Sequence, residues 1–146
     1  MNDNHYQQNL YMKINLTITG CMGRMGQQLI KSSNKNKIFK IVSLTENFKI
    51  NKKINNILPE FNNVNSFKKT NIIIDFTVPK CTLEVLKIAS KLKKRVVIGT
   101  TGFTKSQENL IKKYSKKIPI LKAGNMSLGI NLLMYLTEIT SKSLGN

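Results

Sequence analysis

Short apolar runs alternate with longer helical segments along most of the chain. The runs are rich in Ile, Val and Leu and are bounded by polar or glycine-containing turns, a pattern that predicts β-strands. Five strands are predicted, at residues 13–19, 39–45, 71–76, 95–99 and 119–122. Helices are predicted at residues 24–33, 79–93, 104–117 and 127–143. The segment 47–70, rich in Asn and Lys, is predicted to be a loop with one short helix or strand.

Two of the predicted helices carry further local signals. Thr104 and Gln107 have the spacing of a capping box, in which each side chain satisfies a free backbone amide at the helix start. Leu132, Leu136 and Ile139 recur at helical spacing and fall on one face of the last helix.

Strands separated by helices favour parallel pairing, because each crossover returns the chain to the same end of the sheet. We therefore expect an α/β fold, a Rossmann-like doubly wound parallel sheet with helices on both faces. Ligands of such sheets bind beyond the carboxyl ends of the strands. Candidate functional residues should therefore lie in the loops that follow strands.

Three glycines follow the first apolar run at a spacing of three residues: Gly20, Gly23 and Gly26. The expected roles are a sharp turn at Gly20, close approach of a pyrophosphate to the backbone at Gly23, and close packing of helix on strand at Gly26. The amides of the following helix would face the phosphates. A purely structural turn remains an alternative for this pattern.

A single acid adds to the nucleotide-binding interpretation. Glu46 stands 20 residues after Gly26, at the end of the second predicted strand. An acid at that position can accept hydrogen bonds from the adenosine ribose hydroxyls. The alternative is an ordinary loop acid.

The composition fits one domain and argues against a nucleic-acid-binding protein. The 146 residues are 40% hydrophobic, and 24 Lys and Arg against 7 Asp and Glu give a formal charge of +17. Such a charge suggests an anionic partner. However, 22 of the 24 basic residues are lysines, whereas proteins that read bases favour arginine. Because Asn and Ile are also abundant, a codon bias explains the lysines, and we expect no nucleic-acid partner.

The remaining features point to a reducing, cytoplasmic environment without a membrane span. Cys21 and Cys81 lack the spacing of metal ligands or of a disulfide framework, so both are interpreted as small apolar fillers and no metal is expected. No apolar run reaches the roughly 18 residues of a membrane helix. Residues 1–11, which include His5, the only histidine, are predicted to be a disordered extension or a misassigned start.

Four motifs extend the analysis from fold to family. They are GCMGRMG at 20–26, IDFTVP at 74–79, VVIGTTGF at 96–103 and AGNMSLGIN at 123–131. In this order they closely resemble the 4-hydroxy-tetrahydrodipicolinate reductases, also called dihydrodipicolinate reductases. These bacterial enzymes of lysine (diaminopimelate) biosynthesis reduce a dicarboxylate with NADH or NADPH. The resemblance spans about residues 12–146.

The resemblance implies a set of cofactor-binding positions. The glycine loop would hold the pyrophosphate through Gly20, Cys21, Met22, Gly23, Arg24 and Met25. Glu46 would bind the adenosine ribose, and Gly99, Thr100 and Thr101 would line the pocket near the nicotinamide ribose. Ala123, Gly124, Asn125 and Met126 would present backbone groups to the nicotinamide, with Phe76 and Thr77 nearby. Where many family members carry an arginine for the NADPH phosphate, this chain has Asn47.

The resemblance also implies a second, substrate-binding domain, which this sequence lacks. The family carries a His-His-x-x-Lys motif, which provides the general acid and binds the substrate carboxylates, and an Asp-Ala-Pro-Ser-Gly-Thr segment. Neither motif occurs in this sequence. We therefore predict no catalytic residue in this chain. Residues 12–126 are interpreted as the NAD(P)-binding domain and 127–146 as a helix leading toward the absent domain. The chain is either a fragment of a homotetrameric enzyme or a short protein that only binds nucleotide.

Overall fold

The computed structural model describes residues 13–123 and 126–145 of the chain. Five parallel strands form one sheet: β1 (Ile14–Thr19), β2 (Phe39–Thr45), β3 (Ile72–Asp75), β4 (Arg95–Ile98) and β5 (Ile120–Lys122). The helices are α1 (Arg24–Lys35), α2 (Val64–Lys68), α3 (Pro79–Lys91), α4 (Lys105–Ser115) and α5 (Leu128–Leu144). The predicted Rossmann-like fold is confirmed, and the predicted strand bounds agree to within one residue.

The strands lie in the order β2-β1-β3-β4-β5, so the direction of winding reverses between β1 and β3. Thr19 at the end of β1 lies beside Asp75 at the end of β3, and Asp75 lies beside Ile98 of β4. In doubly wound sheets the crevice at such a reversal is where ligands bind. The loops after β1 and β3 are therefore the expected location of a ligand-binding site.

Buried apolar residues form one cluster on each side of the sheet. One cluster joins β3 and β4 to α3 and α4 through residues such as Ile73, Leu86 and Ile111. The other joins β1 and β2 to α1 through Ile18, Leu44 and Ile30. Because both faces of the sheet are covered, the strands are short apolar runs rather than alternating patterns.

The segment 47–70 contains the one short helix that the sequence allowed for it. The Asn63 side chain caps α2 by accepting a hydrogen bond from the Ser66 backbone amide, and the Ser66 hydroxyl oxygen accepts one from the Asn63 backbone amide. Phe67 of this helix is fully buried. The predicted disordered extension, residues 1–11, lies outside the described residues.

The apolar face of the last helix, α5, is exposed. Leu132, Leu136 and Ile139 share a face, but they are 55%, 51% and 44% exposed. An apolar face of this kind is usually a contact surface. Within the described part of the chain, no helix has the length and apolar character needed to cross a bilayer.

Candidate cofactor site

The glycine loop after β1 packs directly on the loop after β3. Gly20 has a φ of +70°, and a Cβ built there would lie 2.7 Å from the Phe76 carbonyl oxygen. At Gly26 a Cβ would lie 2.2 Å from the Gly20 carbonyl oxygen, so only glycine lets α1 approach this closely. The turn and packing roles predicted for these two glycines are confirmed.

Gly23 differs from its neighbours because a side chain there would need only a small local shift, of a few tenths of an ångström. Its backbone is in the extended region, with φ −67° and ψ 160°. A Cβ at this position would meet only the Gly20 carbonyl oxygen, at 3.3 Å. Gly23 lines a cavity, so the space beside it is open to a ligand.

The first turn of α1 is suited to an anion. Gly23 is its N-cap, no side chain caps the helix, and the first turn has no acid. By contrast, Thr104 caps α4 through the predicted capping box with Gln107. An uncapped helix start offers backbone N–H groups and the positive end of the helix dipole to phosphate.

Glu46 closes the other side of the glycine loop, directly after β2. Its Oε2 accepts a hydrogen bond from the Met22 amide at 3.0 Å, and its Oε1 accepts one from the Asn47 amide at 3.1 Å. The residue is 9% exposed and lines the same cavity as Gly23. The carboxylate therefore fixes the loop and keeps lone pairs for hydroxyl donors in the cavity.

The cavity at the strand reversal has a volume of about 190 Å³. Its lining comes from the loops after β1, β2 and β3 and from the start of α3. It comprises Gly20, Gly23, Glu46, Asn47, Asn62, Phe76, Thr77, Val78 and Cys81. The structure thus brings together the glycine loop, the acid and the loop after β3, as a nucleotide site requires.

The loop after β4 contributes in a different way from the one expected. A Cβ on Gly99 would lie 2.1 Å from the Phe76 ring, so this glycine makes room for the ring. Thr100 is 3% exposed, and its hydroxyl donates to Asp75 and accepts from the Thr77 amide. Its hydroxyl is therefore turned inward rather than toward a ligand, whereas Thr101 is exposed.

The other predicted positions are distributed around the glycine loop and β5. Met22 and Met25 are 46% and 48% exposed, Arg24 is exposed, and Cys21 is fully buried. The Cys21 side chain therefore does not face the cavity. Beyond β5, Ala123 is half-buried and Met126 is exposed, and Gly124 and Asn125 lie outside the described residues.

The sequence analysis did not single out Asp75, a fully buried acid at the end of β3. Its carboxyl group accepts hydrogen bonds from Thr19, Thr77, Thr82 and Thr100. An acid that ends an apolar strand is a visible signal, because buried Asp is rare unless partnered. Its partners, however, come from four separate segments that only the fold brings together.

Comparison with known proteins agrees with this geometry. The family model described as "Dihydrodipicolinate reductase, N-terminus" matches residues 14–126. The chain belongs to the dihydrodipicolinate reductase family. This is a family of oxidoreductases, and the match covers the sheet, the glycine loop and Glu46.

Named relatives give the same result. The chain is 74% identical over 132 residues to 4-hydroxy-tetrahydrodipicolinate reductase of Pelagibacter ubique, covering 90% of this chain and 51% of that protein. It is 38% identical to the reductase of Buchnera aphidicola from Cinara cedri, covering 91% of this chain and 53% of the relative. The chain thus spans about half the length of the curated relatives it matches.

Solved structures extend the likeness. A dipicolinate-bound dihydrodipicolinate reductase from Paenisporosarcina sp. TG-14 has a TM-score of 0.73 at 26% identity, covering 89% of this chain and 54% of that one. A Rex-family repressor has a TM-score of 0.63 at 13% identity, covering 90% of this chain and 61% of that one. At that low identity, the second likeness concerns the fold alone.

The two cysteines differ in their surroundings. Burial, together with the nearby Glu46 carboxylate, raises the pKa of the Cys21 thiol to about 11, against an opposing backbone hydrogen bond. Burial also raises the pKa of Cys81, with the carboxylates of Glu84, Asp75 and Glu46 acting in the same direction and Lys80 opposing them. Cys21 is a buried filler, as predicted. Cys81 instead lines the cavity, so the filler role predicted for it is wrong.

Alkylation should distinguish the two thiols in this family member. Thiolate is the form that reacts, so the raised pKa values make alkylation of both thiols slow at neutral pH. As the pH is raised toward the pKa, the alkylation rate should increase about tenfold per pH unit. The two thiols are separated by the variants Cys21→Ala, which keeps Cys81, and Cys81→Ala, which keeps Cys21. Iodoacetamide should modify Cys81 but leave Cys21 unmodified up to about pH 10, as detected by mass spectrometry. Rapid labelling of Cys21 in folded protein at pH 8 would contradict its assigned burial and pKa.

Proposed function

We propose that this chain supplies the cofactor-binding part of a 4-hydroxy-tetrahydrodipicolinate reductase, the NAD(P)H-dependent enzyme of bacterial lysine biosynthesis. The single observation that carries the proposal is the cavity in which the glycine loop, Glu46 and the loop after β3 meet. Family membership and the cofactor class of the family support the same function. The complete enzyme would be a cytoplasmic homotetramer that acts on a small dicarboxylate.

The residues present fit a dinucleotide cofactor. Gly23 leaves space where any larger residue would place a side chain, and the uncapped start of α1 provides N–H donors for phosphate. Glu46 is held by the Met22 amide and lines the cavity, where it can accept from ribose hydroxyls. Thr101 and Met126, both exposed on neighbouring loops, would form the nicotinamide side.

The reduced nicotinamide would supply hydride to the substrate when bound. This chain would bind the phosphates, fix the ribose and orient the ring. The groups that protonate the product and hold its carboxylates belong to family motifs absent from the printed sequence. We therefore assign no catalytic residue here.

A second candidate function is a nucleotide-binding module without catalysis. It is favoured by one observation, the absence from these 146 residues of the family's His-His-x-x-Lys motif. Both functions require cofactor binding. They differ in whether a substrate-binding half acts together with this chain.

Cofactor binding is the direct test of both candidates. Calorimetric titration of the folded chain with NADH should give saturable one-site binding, and ADP should compete because it carries the adenosine and the two phosphates. An unrelated anion such as sulfate at the same concentration should not compete. A folded sample that binds neither NADH nor ADP would overturn the proposal.

The chain should bind NADH at least as well as NADPH. Glu46 lines the cavity, and in the proposed site it would lie beside the adenosine ribose, where its negative charge would repel a 2′-phosphate. Asn47 next to it offers only a neutral hydrogen bond where an arginine would offer a charged fork. We expect Asn47→Arg to improve the affinity for NADPH relative to NADH by about tenfold, roughly 1.4 kcal/mol.

Parallel titrations with both cofactors at physiological salt measure this preference. Nearby lysines are the competing explanation, because Lys80 lines the adjoining cavity with Glu46 and Asn47. Lys80→Gln is the matched control and should leave the ratio of the two affinities within about twofold. If the unmodified chain binds NADPH more than about tenfold more tightly than NADH, nearby lysines take over the role of the family's arginine in binding the 2′-phosphate.

A further inference from the structure

Asp75 lies at the centre of a polar cluster beneath the candidate site. The residue is fully buried, and each of its carboxyl oxygens accepts two threonine hydroxyls at 2.5–3.1 Å. Thr19 and Thr77 donate to Oδ1, and Thr82 and Thr100 donate to Oδ2. Four donors match the four lone-pair sites of a carboxylate.

These four hydroxyls belong to four different segments. Thr19 ends β1 just before the glycine loop, and Thr77 lies in the loop after β3. Thr100 lies in the loop after β4, and Thr82 lies in the first turn of α3. Asp75 therefore ties the loops that border the crevice to one another and to the helix behind them.

The loop after β4 is anchored by one backbone hydrogen bond, from the Gly99 amide to the Asp75 carbonyl at 2.8 Å, and by this side-chain cluster. Thr100 connects two partners, since its hydroxyl donates to Asp75 at 3.1 Å and accepts from the Thr77 amide at 2.9 Å. The glycine loop has separate anchors. The Gly20 amide donates to Thr45 at 3.0 Å, and the Met22 amide donates to Glu46 at 3.0 Å.

We propose that Asp75 is a positioning residue for the nicotinamide half of the cofactor. It acts through Thr100 and Thr77, holding the loop after β4 against the loop after β3. This proposal rests on the proposed function, because it takes Gly99, Thr100 and Thr101 as the wall beside the nicotinamide ribose. The adenosine half would be held by the glycine loop and Glu46.

The test compares two ligands of the same chain, NADH and ADP, which lacks the nicotinamide riboside. In Asp75→Asn, affinity for NADH should fall at least about tenfold while affinity for ADP stays within about twofold. Binding to the unmodified chain should shift the fluorescence of NADH, because this fluorescence reports on the environment of the nicotinamide. In Asp75→Asn the shift should disappear. A residue with only a structural role would move both affinities together with the melting temperature.

Two threonine variants keep the test valid if Asp75→Asn fails to fold. Thr100→Val removes the hydroxyl that joins Asp75 to the Thr77 amide and should reproduce the selective loss of NADH, whereas Thr100→Ser should restore it. Thr82→Val is the matched control. It removes one hydrogen bond from the same carboxyl oxygen, but on the α3 side, so it should lower the melting temperature without changing the ratio of affinities.

Each outcome decides a different question. If the unmodified chain binds neither ligand, the proposed function fails and the positioning role fails with it. Suppose that the unmodified chain binds NADH and ADP. If Thr100→Val then lowers the two affinities equally, or changes neither of them, Asp75 has a structural role and only the positioning role is overturned. If Thr82→Val weakens NADH as much as Thr100→Val does, the selectivity claimed for the loop after β4 is wrong.

Discussion

Replacing Gly23 with valine is expected to lower the affinity for NADH by at least about a hundredfold while the protein stays folded. The extended backbone at Gly23 accepts any residue, and a Cβ there would meet only one atom, at 3.3 Å. The side chain would instead enter a cavity of about 190 Å³ and block approach to the start of α1. Calorimetry measures the affinity, and thermal unfolding monitored by circular dichroism measures the fold.

Two neighbouring substitutions make this result interpretable. Gly23→Ala adds only the Cβ and should weaken NADH less than valine does. Gly26→Ala, three residues later, would place a Cβ 2.2 Å from the Gly20 carbonyl oxygen and 2.8 Å from the Cys21 Cα. It should therefore lower the melting temperature strongly. Unchanged NADH affinity in folded Gly23→Val would contradict the assignment of the glycine loop to the cofactor.

The chain of 146 residues should bind NADH but fail to reduce the dicarboxylate. It carries the glycine loop and Glu46, but not the family motifs for the general acid and the substrate carboxylates. Loss of general acid catalysis alone costs about 10²–10⁴ in rate. Loss of substrate orientation costs several further factors of ten. Together these losses should bring turnover below detection.

The measurement is NADH oxidation with substrate generated in the cuvette by the preceding enzyme of the pathway. A complete reductase of the family provides the positive control for the substrate supply. Mass spectrometry must show that the preparation holds this chain alone. Turnover at the rate of the positive control would show that the catalytic groups lie within residues 1–146.

The part of the site that could be predicted from the sequence is the part encoded by local constraints. Gly20 and Gly26 are glycines because a positive φ and a close approach of two backbone segments leave no room for a Cβ. The positive φ at Gly20 and the contact of Gly26 with the Gly20 carbonyl arise within one strand–turn–helix unit, so the spacing of the glycines predicts them, whereas the contact of Gly20 with Phe76 depends on the fold. The capping box of Thr104 and Gln107 is equally local.

The part that could not be predicted depends on which segments meet in space. The family resemblance implies that Thr100 lines the pocket near the nicotinamide ribose. The structure turns its hydroxyl toward Asp75, 25 positions earlier in the sequence. A pattern of polar residues does not say whether a hydroxyl faces a ligand or a buried carboxyl, because both satisfy its hydrogen bonds.

Periodicity predicted the last helix but not its surroundings. Leu132, Leu136 and Ile139 recur as they would on a packed face, yet they are exposed in this chain. Hydrophobic spacing identifies the face that needs a partner and carries no information about where the partner comes from. In the segment 47–70, the short helix is marked by its capping residues Asn63 and Ser66 and by the buried Phe67, and no helical periodicity predicts it.

The order of the strands sets the sequence of events when the chain is made on the ribosome. The β1–α1–β2 unit is complete once residue 45 has emerged, because β1 pairs with β2. The other edge of β1 pairs with β3, so it stays open until residue 75 has been added. Gly20 receives its contacts from Phe76 and Thr77 only then. A nascent chain therefore cannot complete the lining of the cavity, which includes Phe76, Thr77, Val78 and Cys81, before residue 81 has been added.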